Sequence, residues 1–320
     1  MKEFEMNNLL IIGAAGKMGK WFFDYFINIK KNSNLKDINK VLSIDKIFLY
    51  DVKDIQYTSL SRDKDIIITD NIAESVRISD IILFCIPVKE IIKIIDCKTI
   101  LFKRGTIIIE ISSIKTDIHK VLLNMSKNLH VTTLCIHPMF GPGASIIASN
   151  KIIFIPVDAH KSKNEQIIFN KFFPLFERIT INSPEKHDLA ISVIISLIYL
   201  INLVFSKFLV EIANSKEFQF EDDSIRFFKK ISGSTFKIQS LLSESILTDD
   251  ITLFISLFID NDESMTTFNK YGQLFNNLLE KIEKKDSKYV KEYIHLVRNN
   301  IKKDIDIHQS YSQLYKFLNS

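Results

Sequence analysis

The 320-residue chain is poor in the residues that interrupt structure, and their distribution is uneven. No proline follows Pro184, and beyond it the only glycines are Gly233 and Gly272. A long stretch without breakers, with apolar residues at helical spacing, excludes a second sheet domain there and predicts an all-helical segment from 184 to 320. Cysteine is scarce as well. Cys85, Cys97 and Cys135 lack metal-ligand spacing, and Cys85 and Cys135 sit in strand-like apolar runs, as expected of buried thiols in a reducing cytoplasm. An excess of one charge sign is also missing, since 42 basic residues face 38 acidic ones. The lysine pairs at 30–31, 229–230, 284–285 and 302–303 form no stripe interleaved with aromatics, which argues against nucleic acid as a partner. Met1 to Asn8 carries two glutamates and the apolar run after it stops in a glycine loop, unlike a signal peptide. Leu189 to Phe205 is the single long apolar stretch. It contains Ser192, Ser196 and Asn202, and it reads as a buried core or interface helix rather than a membrane span. No internal repeat or low-complexity segment is visible.

What is present is the composition of a globular protein with a real core, 46% apolar and 25% charged. The length suggests two domains. In the first half, strand-like runs alternate with helical ones. Leu9–Ile12 is followed by a glycine loop and a helix from about Lys20 to Ile29. A polar insert covers Asn32–Asn39. Strands are then expected at Lys46–Tyr50, Asp65–Thr69, Asp80–Ile86, Thr106–Ile111 and Val131–Ile136, with short helices near Ile72–Arg77 and Asp117–Asn124. Lys151–Val157 and Ile179–Ile181 look like further strands. Continuous apolar strands separated by helices imply an α/β domain with a parallel sheet covered on both faces, at 1–183, before the all-α domain at 184–320.

The glycine loop reads Gly13-Ala14-Ala15-Gly16-Lys17-Met18-Gly19. Between a strand and a helix, glycines let the backbone approach a pyrophosphate, while the helix N-terminus offers unpaired N–H groups and a favourable dipole. Ala14 stands where the common spacing has a glycine, and a tight turn without ligand would use similar residues. Asp51 ends the second strand, where a carboxylate accepts hydrogen bonds from an adenosine ribose and disfavours a 2′-phosphate. Asp45 is a rival for that role. Lys53 leaves NADP open, so NAD is favoured with NADP as the alternative.

Five features fall at the carboxyl ends of the expected parallel strands: the glycine loop, Asp51, Ile86-Pro87, Ser113 and His137. That edge of an open α/β sheet is where ligands bind. His137-Pro138-Met139-Phe140-Gly141-Pro142 is the most unusual of them, a histidine followed by a loop stiffened by proline. Ser113 and Lys115 supply a hydroxyl and a cation beside it. Ser113 alone would suit a helix cap.

Together these motifs resemble the prephenate/arogenate dehydrogenase family, over nearly the whole chain. The resemblance rests on the glycine loop, on Ile111-Ser112-Ser113-Ile114-Lys115, on the His137–Pro142 loop, and on Pro184-Glu185-Lys186-His187-Asp188 opening a long helix. It implies a Rossmann domain, an all-helical dimerisation domain, and oxidative decarboxylation of prephenate with NAD(P). In that scheme His137 takes the proton of the substrate's ring hydroxyl and Ser113 hydrogen-bonds the same hydroxyl. Lys115 and His187 would stand near the substrate. His187-Asp188 could equally be an ordinary first helical turn. The chain departs from the family where a glutamine and a histidine are usual, with Ile195 and Tyr199 in their places. It departs again where an arginine grips a substrate carboxylate, with Ser245 there and Glu244 beside it. A serine cannot replace a bidentate guanidinium. Lys207, Arg226 and Lys237 are the nearby cations in sequence. Substrates of the resemblance are prephenate or arogenate, and the partner is a second copy bound through the helical domain.

Overall fold

The computed structural model describes residues 7–31, 44–57, 64–146, 150–215 and 225–318. The expected insert at Asn32–Asn39, and residues 1–6 of the N-terminal segment, lie outside these. Contacts divide the chain into two units, residues 1–188 and 189–320. Sequence periodicity places the change at 183/184. The five residues between stay with the first unit because Asp188 bonds to Lys115 and His187 to His137.

The first unit is an eight-stranded sheet: β1 (Asn7–Ile12), β2 (Ile44–Tyr50), β3 (Ile66–Ile68), β4 (Ile81–Phe84), β5 (Ile107–Glu110), β6 (Thr132–Pro138), β7 (Lys151–Ile155) and β8 (Glu177–Thr180). Their spatial order is β3-β2-β1-β4-β5-β6-β7-β8. Pairing is parallel from β3 to β6. The parallel sheet expected from the sequence is present, with one antiparallel pair, since β7 runs antiparallel to β6 while β8 is parallel to β7. No helix lies among the described residues between β6 and β7, and a parallel return needs a crossover. Leu9–Ile12, Ile81–Phe84 and Ile107–Ile109 are buried throughout. They carry no polar alternation because both sheet faces are covered.

The covering helices are α1 (Lys17–Lys31), α2 (Ile72–Ile78), α3 (Val88–Asp96), α4 (Thr116–Asn128) and α5 (Ser162–Phe172). Helix α1 starts three residues earlier than the sequence suggests. It buries Trp21, Phe22, Tyr25 and Phe26 in a cluster with Phe169, Phe172 and Phe173. The Tyr25 hydroxyl donates to the Phe172 carbonyl at 2.7 Å, so this buried phenol keeps a partner.

Helix α6 (Pro184–Ile191) leads through a π-helical turn, Ser192–Ser196, into α7 (Leu197–Ala213). The described residues of the second unit are helical throughout: α8 (Ile225–Ile231), α9 (Ser234–Ile246), α10 (Ile251–Phe258), α11 (Asp262–Glu283), α12 (Ser287–Ile301) and α13 (Ile307–Leu318). Within it, the Ser243 hydroxyl and Gln239 Nε2 both donate to Asn202 Oδ1, at 2.7 and 2.8 Å, joining α7 to α9. The helical stretch Pro184–Ala213 is long and apolar enough to cross a membrane, and only 22% of its most apolar window is buried within the chain. Ile191, Ser192, Ser196 and Asn202 are its buried members within 189–206, and many of the remaining residues are partly covered.

Candidate active site

Strand order turns scattered sequence features into a row. Along the carboxyl edge, β2, β1, β4, β5 and β6 carry in turn Asp51, the glycine loop, Pro87, Ser113 and His137. The sheet's connections reverse direction between β1 and β4, the point at which such folds hold a nucleotide.

The glycine loop fits that use. Gly13 has φ +92°, and a Cβ there would lie 2.5 Å from the Cys85 carbonyl oxygen and 2.7 Å from Ile86. A Cβ on Gly19 would lie 2.0 Å from the Gly13 carbonyl oxygen, so only glycine lets the first turn of α1 pack this closely on the loop. Ala14, at the non-glycine position, is buried, while Gly16 and Lys17 are exposed at the head of α1. Asp51 Oδ2 accepts from the Ala15 N–H at 2.9 Å and Oδ1 from the Lys53 N–H at 2.9 Å. The carboxylate is thereby fixed beside the loop. Asp45 is excluded as its rival. It lies at the amino end of β2, where its carbonyl accepts from Lys30 Nζ at 3.0 Å. Pro87 caps α3, with Ile86 against Gly13.

His137 is not presented on a loop, as the sequence suggested. It lies inside β6, paired with Ile153, and is 4% exposed. Its Nδ1 lies 3.0 Å from Nε2 of His187, and His187 Nδ1 lies 2.8 Å from Asp188 Oδ1. Asp188 also accepts from the Lys115 N–H at 2.8 Å, and from the Thr116 N–H and hydroxyl at 2.8 and 2.6 Å. This carboxylate caps the start of α4 in the place the sequence offered to Ser113. Burial alone would raise the pKa of Asp188, but the bonds from His187, Thr116 and the two backbone N–H groups outweigh it and hold the carboxyl below its usual range. Burial depresses His187. Burial, then the neighbouring His187 and Lys115, push His137 well below the usual histidine range.

The tautomers follow. An ionised Asp188 accepts only, so His187 Nδ1 carries a proton. Neutral His187 then accepts at Nε2, so His137 donates from Nδ1. Nε2 of His137 keeps its lone pair and has no hydrogen-bond partner among the described residues. The arrangement is a neutral imidazole with a fixed basic nitrogen.

Lys115 overturns an expectation. Its side chain is fully buried, ion-paired to the equally buried Glu110, and donates to the Ile136 carbonyl at 2.6 Å. It braces the strand that carries His137 and is unavailable to a substrate carboxylate. Glu110 accepts further from the Ser112 N–H at 3.0 Å and hydroxyl at 2.6 Å. Sequence reading passed over Glu110, although an acid inside an isoleucine run was a visible signal. His187 is likewise corrected from substrate neighbour to partner of His137. Ser113 is half-buried on the next strand end, and no hydrogen bond joins it to His137 among the described residues.

In the helical unit, the Tyr199 hydroxyl donates to Asp249 Oδ2 at 2.6 Å, and the exposed Ser245 donates to its own helix at Leu242. Both hydroxyls are thus already engaged. Glu244 is paired with Lys229 at 2.5 Å, which offsets the charge expected to repel a substrate. Lys207 is paired with Glu211 at 3.1 Å, while Arg226 and Lys237 are exposed.

Residues 38–157 match the family model for the prephenate dehydrogenase nucleotide-binding domain. A probable arogenate/prephenate dehydrogenase of Methanocaldococcus jannaschii is 26% identical over 186 residues, 56% of this chain and 37% of that protein. The match therefore spans little more than a third of the relative's length. Among solved structures, prephenate dehydrogenase from Aquifex aeolicus, in complex with hydroxyphenyl propionate and NAD+, has a TM-score of 0.67 at 19% identity, covering 94% of this chain and 99% of that one. An arogenate dehydrogenase from Synechocystis has a TM-score of 0.55 at 13% identity, covering 93% and 100%. At these identities the two structures speak for the fold.

Proposed function

Because the chain belongs to the prephenate/arogenate dehydrogenase family, we propose that it oxidatively decarboxylates prephenate to 4-hydroxyphenylpyruvate, with NAD as hydride acceptor. The observation that carries this reading is the chain Asp188–His187–His137, which leaves one basic nitrogen on a buried neutral ring. Residues of the glycine loop and Asp51 hold the dinucleotide, and the Asp51 carboxylate favours NAD over NADP.

His137 Nε2 takes the proton of the ring hydroxyl as the carbonyl forms. Ser113 orients the same oxygen from the neighbouring strand end. The bound nicotinamide supplies the acceptor for the hydride leaving the hydroxyl-bearing carbon. Carbon dioxide departs from the opposite ring carbon, its bonding pair completing the aromatic ring, and the resulting phenolate retakes the proton from His137. Asp188 stays ionised and keeps both imidazoles in their tautomers.

His137→Asn tests the assignment. NADH formation from prephenate should fall by about 10²–10⁴-fold, the range of a general base, with NAD affinity by calorimetry unchanged. If most of the rate survives, the base lies elsewhere. A variant and wild type that both bind NAD without turning over any cyclohexadienyl substrate would instead point to an impaired homologue acting as a partner subunit.

Arogenate is the second reading. Ser245 in place of a gripping arginine favours it, since arogenate replaces one keto acid by an amino acid. Side-by-side kcat/KM values decide, and clear preference for prephenate removes it. The reading also places the protein in the cytoplasm as a homodimer through its helical unit, with the apolar Pro184–Ala213 stretch covered by the second copy. Sedimentation of the detergent-free protein as a monomer would remove the dimer.

A further inference from the structure

Helix α1, which leads from the glycine loop, and the loop after β6, which follows His137, are connected by one side chain. Strands β4 and β5 separate their parent strands β1 and β6 in the sheet. Trp21, one turn into α1 and the only tryptophan of the chain, is 4% exposed. Its Nε1–H donates to the Ala144 carbonyl at 2.9 Å, and its ring lies 4.7 Å from that of Phe140. Phe140 in turn stacks on Phe176 at 5.8 Å. Further along the loop, Asn150 Nδ2 donates to the Ser145 carbonyl at 2.8 Å and Ile146 packs against the core. Gly141, Pro142 and Gly143 are exposed, and a Cβ on either glycine would meet nothing within 4 Å. Among its described residues, the loop's own backbone bonds are Met139 N–H to the Lys151 carbonyl at 2.9 Å and Ala144 N–H to the Gly141 carbonyl at 3.0 Å.

We propose that Trp21 is a positioning residue, which latches the loop after His137 onto the cofactor helix and so fixes the base relative to the bound dinucleotide. This rests on the reading of the glycine loop and His137 given above. An indole does two separable things here, since its ring packs on Phe140 while its N–H holds a backbone carbonyl. Phenylalanine keeps the first and loses the second. A latch of this kind affects the geometry between two bound partners more than the affinity for either.

Trp21→Phe is expected to lose only the few degrees of melting temperature that one hydrogen bond supports, to bind NAD with unchanged affinity, and to turn over prephenate about five-fold more slowly at saturation. Trp21→Ala should lose more. Full kcat in both variants overturns the latch. So does a Trp21→Phe whose melting temperature and NAD affinity fall in step with its rate, because that is core packing alone. Two readouts do not need turnover. Phe140→Leu should shift the emission of Trp21, and so should NAD added to the His137→Asn protein. NAD that binds by calorimetry with the emission unmoved overturns the latch and leaves the reading of the site intact. Absence of NAD binding fails that reading instead, and an unchanged Trp21 spectrum in Phe140→Leu still overturns the latch.

Discussion

His187 Nε2 sits 3.0 Å from His137 Nδ1, so the histidine that the helix supplies is a partner of the strand histidine and lines no open space. Two rings in contact, both depressed by burial, can remain neutral only if one has a fixed donor and the other a fixed acceptor. Asp188 imposes that choice from its 2.8 Å contact with His187.

Replacing His187 by leucine removes the acceptor for His137 Nδ1–H and leaves that ring free to change tautomer. We expect kcat to fall by roughly 10²-fold, at the lower end of what a general base contributes, with NAD affinity unchanged. Stopped-flow NADH traces beside calorimetric titrations check both. A kcat within a factor of about two of wild type would show that the neighbour does not control the base.

The pH dependence has a defined sign. A base must be unprotonated, and His137 is held well below the usual histidine range, so log kcat/KM should stay flat through pH 6.5 and fall only on more acid titration. Stability follows the same groups. Their folded values lie below the unfolded histidine value of about 6.5, so the stability they contribute is present above that pH and is lost as pH falls through the folded values. A rate profile with its acid limb centred near 6.5 would sink the assignment.

Glu165 works in the opposite direction. Burial raises it to about 6 from 4.5, against the pull of the Val157 and Asp158 N–H groups it accepts. Its contribution is full below the unfolded value and is lost as pH rises through about 6. The stability of wild type minus that of Glu165→Gln should therefore decline by about 1.5 kcal/mol between pH 4.5 and 7, as urea midpoints can measure. A difference that grows with pH contradicts it.

Lys115→Met strands the buried Glu110 carboxylate and should destabilise the protein by about 3–5 kcal/mol. The double variant Glu110→Leu with Lys115→Met should recover most of that, because no unpaired charge remains. Its KM for prephenate should match wild type. A large rise in KM in a stable double variant would return Lys115 to the substrate.

The sequence by itself determined the outline. Breaker-free composition after Pro184 and unalternating apolar strands before it separate a helical unit from a covered sheet, because buried strands need no polar face and long helices tolerate no proline. It also placed Asp51, the glycine loop and His137 on one edge, since motifs at strand ends reveal themselves through local pattern. What it could not supply was pairing between residues far apart in the chain. Lys115 and His187 both looked like groups beside a substrate, because a charge or an imidazole in sequence carries no sign of what faces it. Only the tertiary structure decided that Glu110 neutralises Lys115 in the core, that Asp188 caps a helix some seventy positions upstream, and that His187 completes His137. Burying those polar groups is tolerable only when each finds its partner, and that partner is chosen by packing rather than by neighbouring sequence.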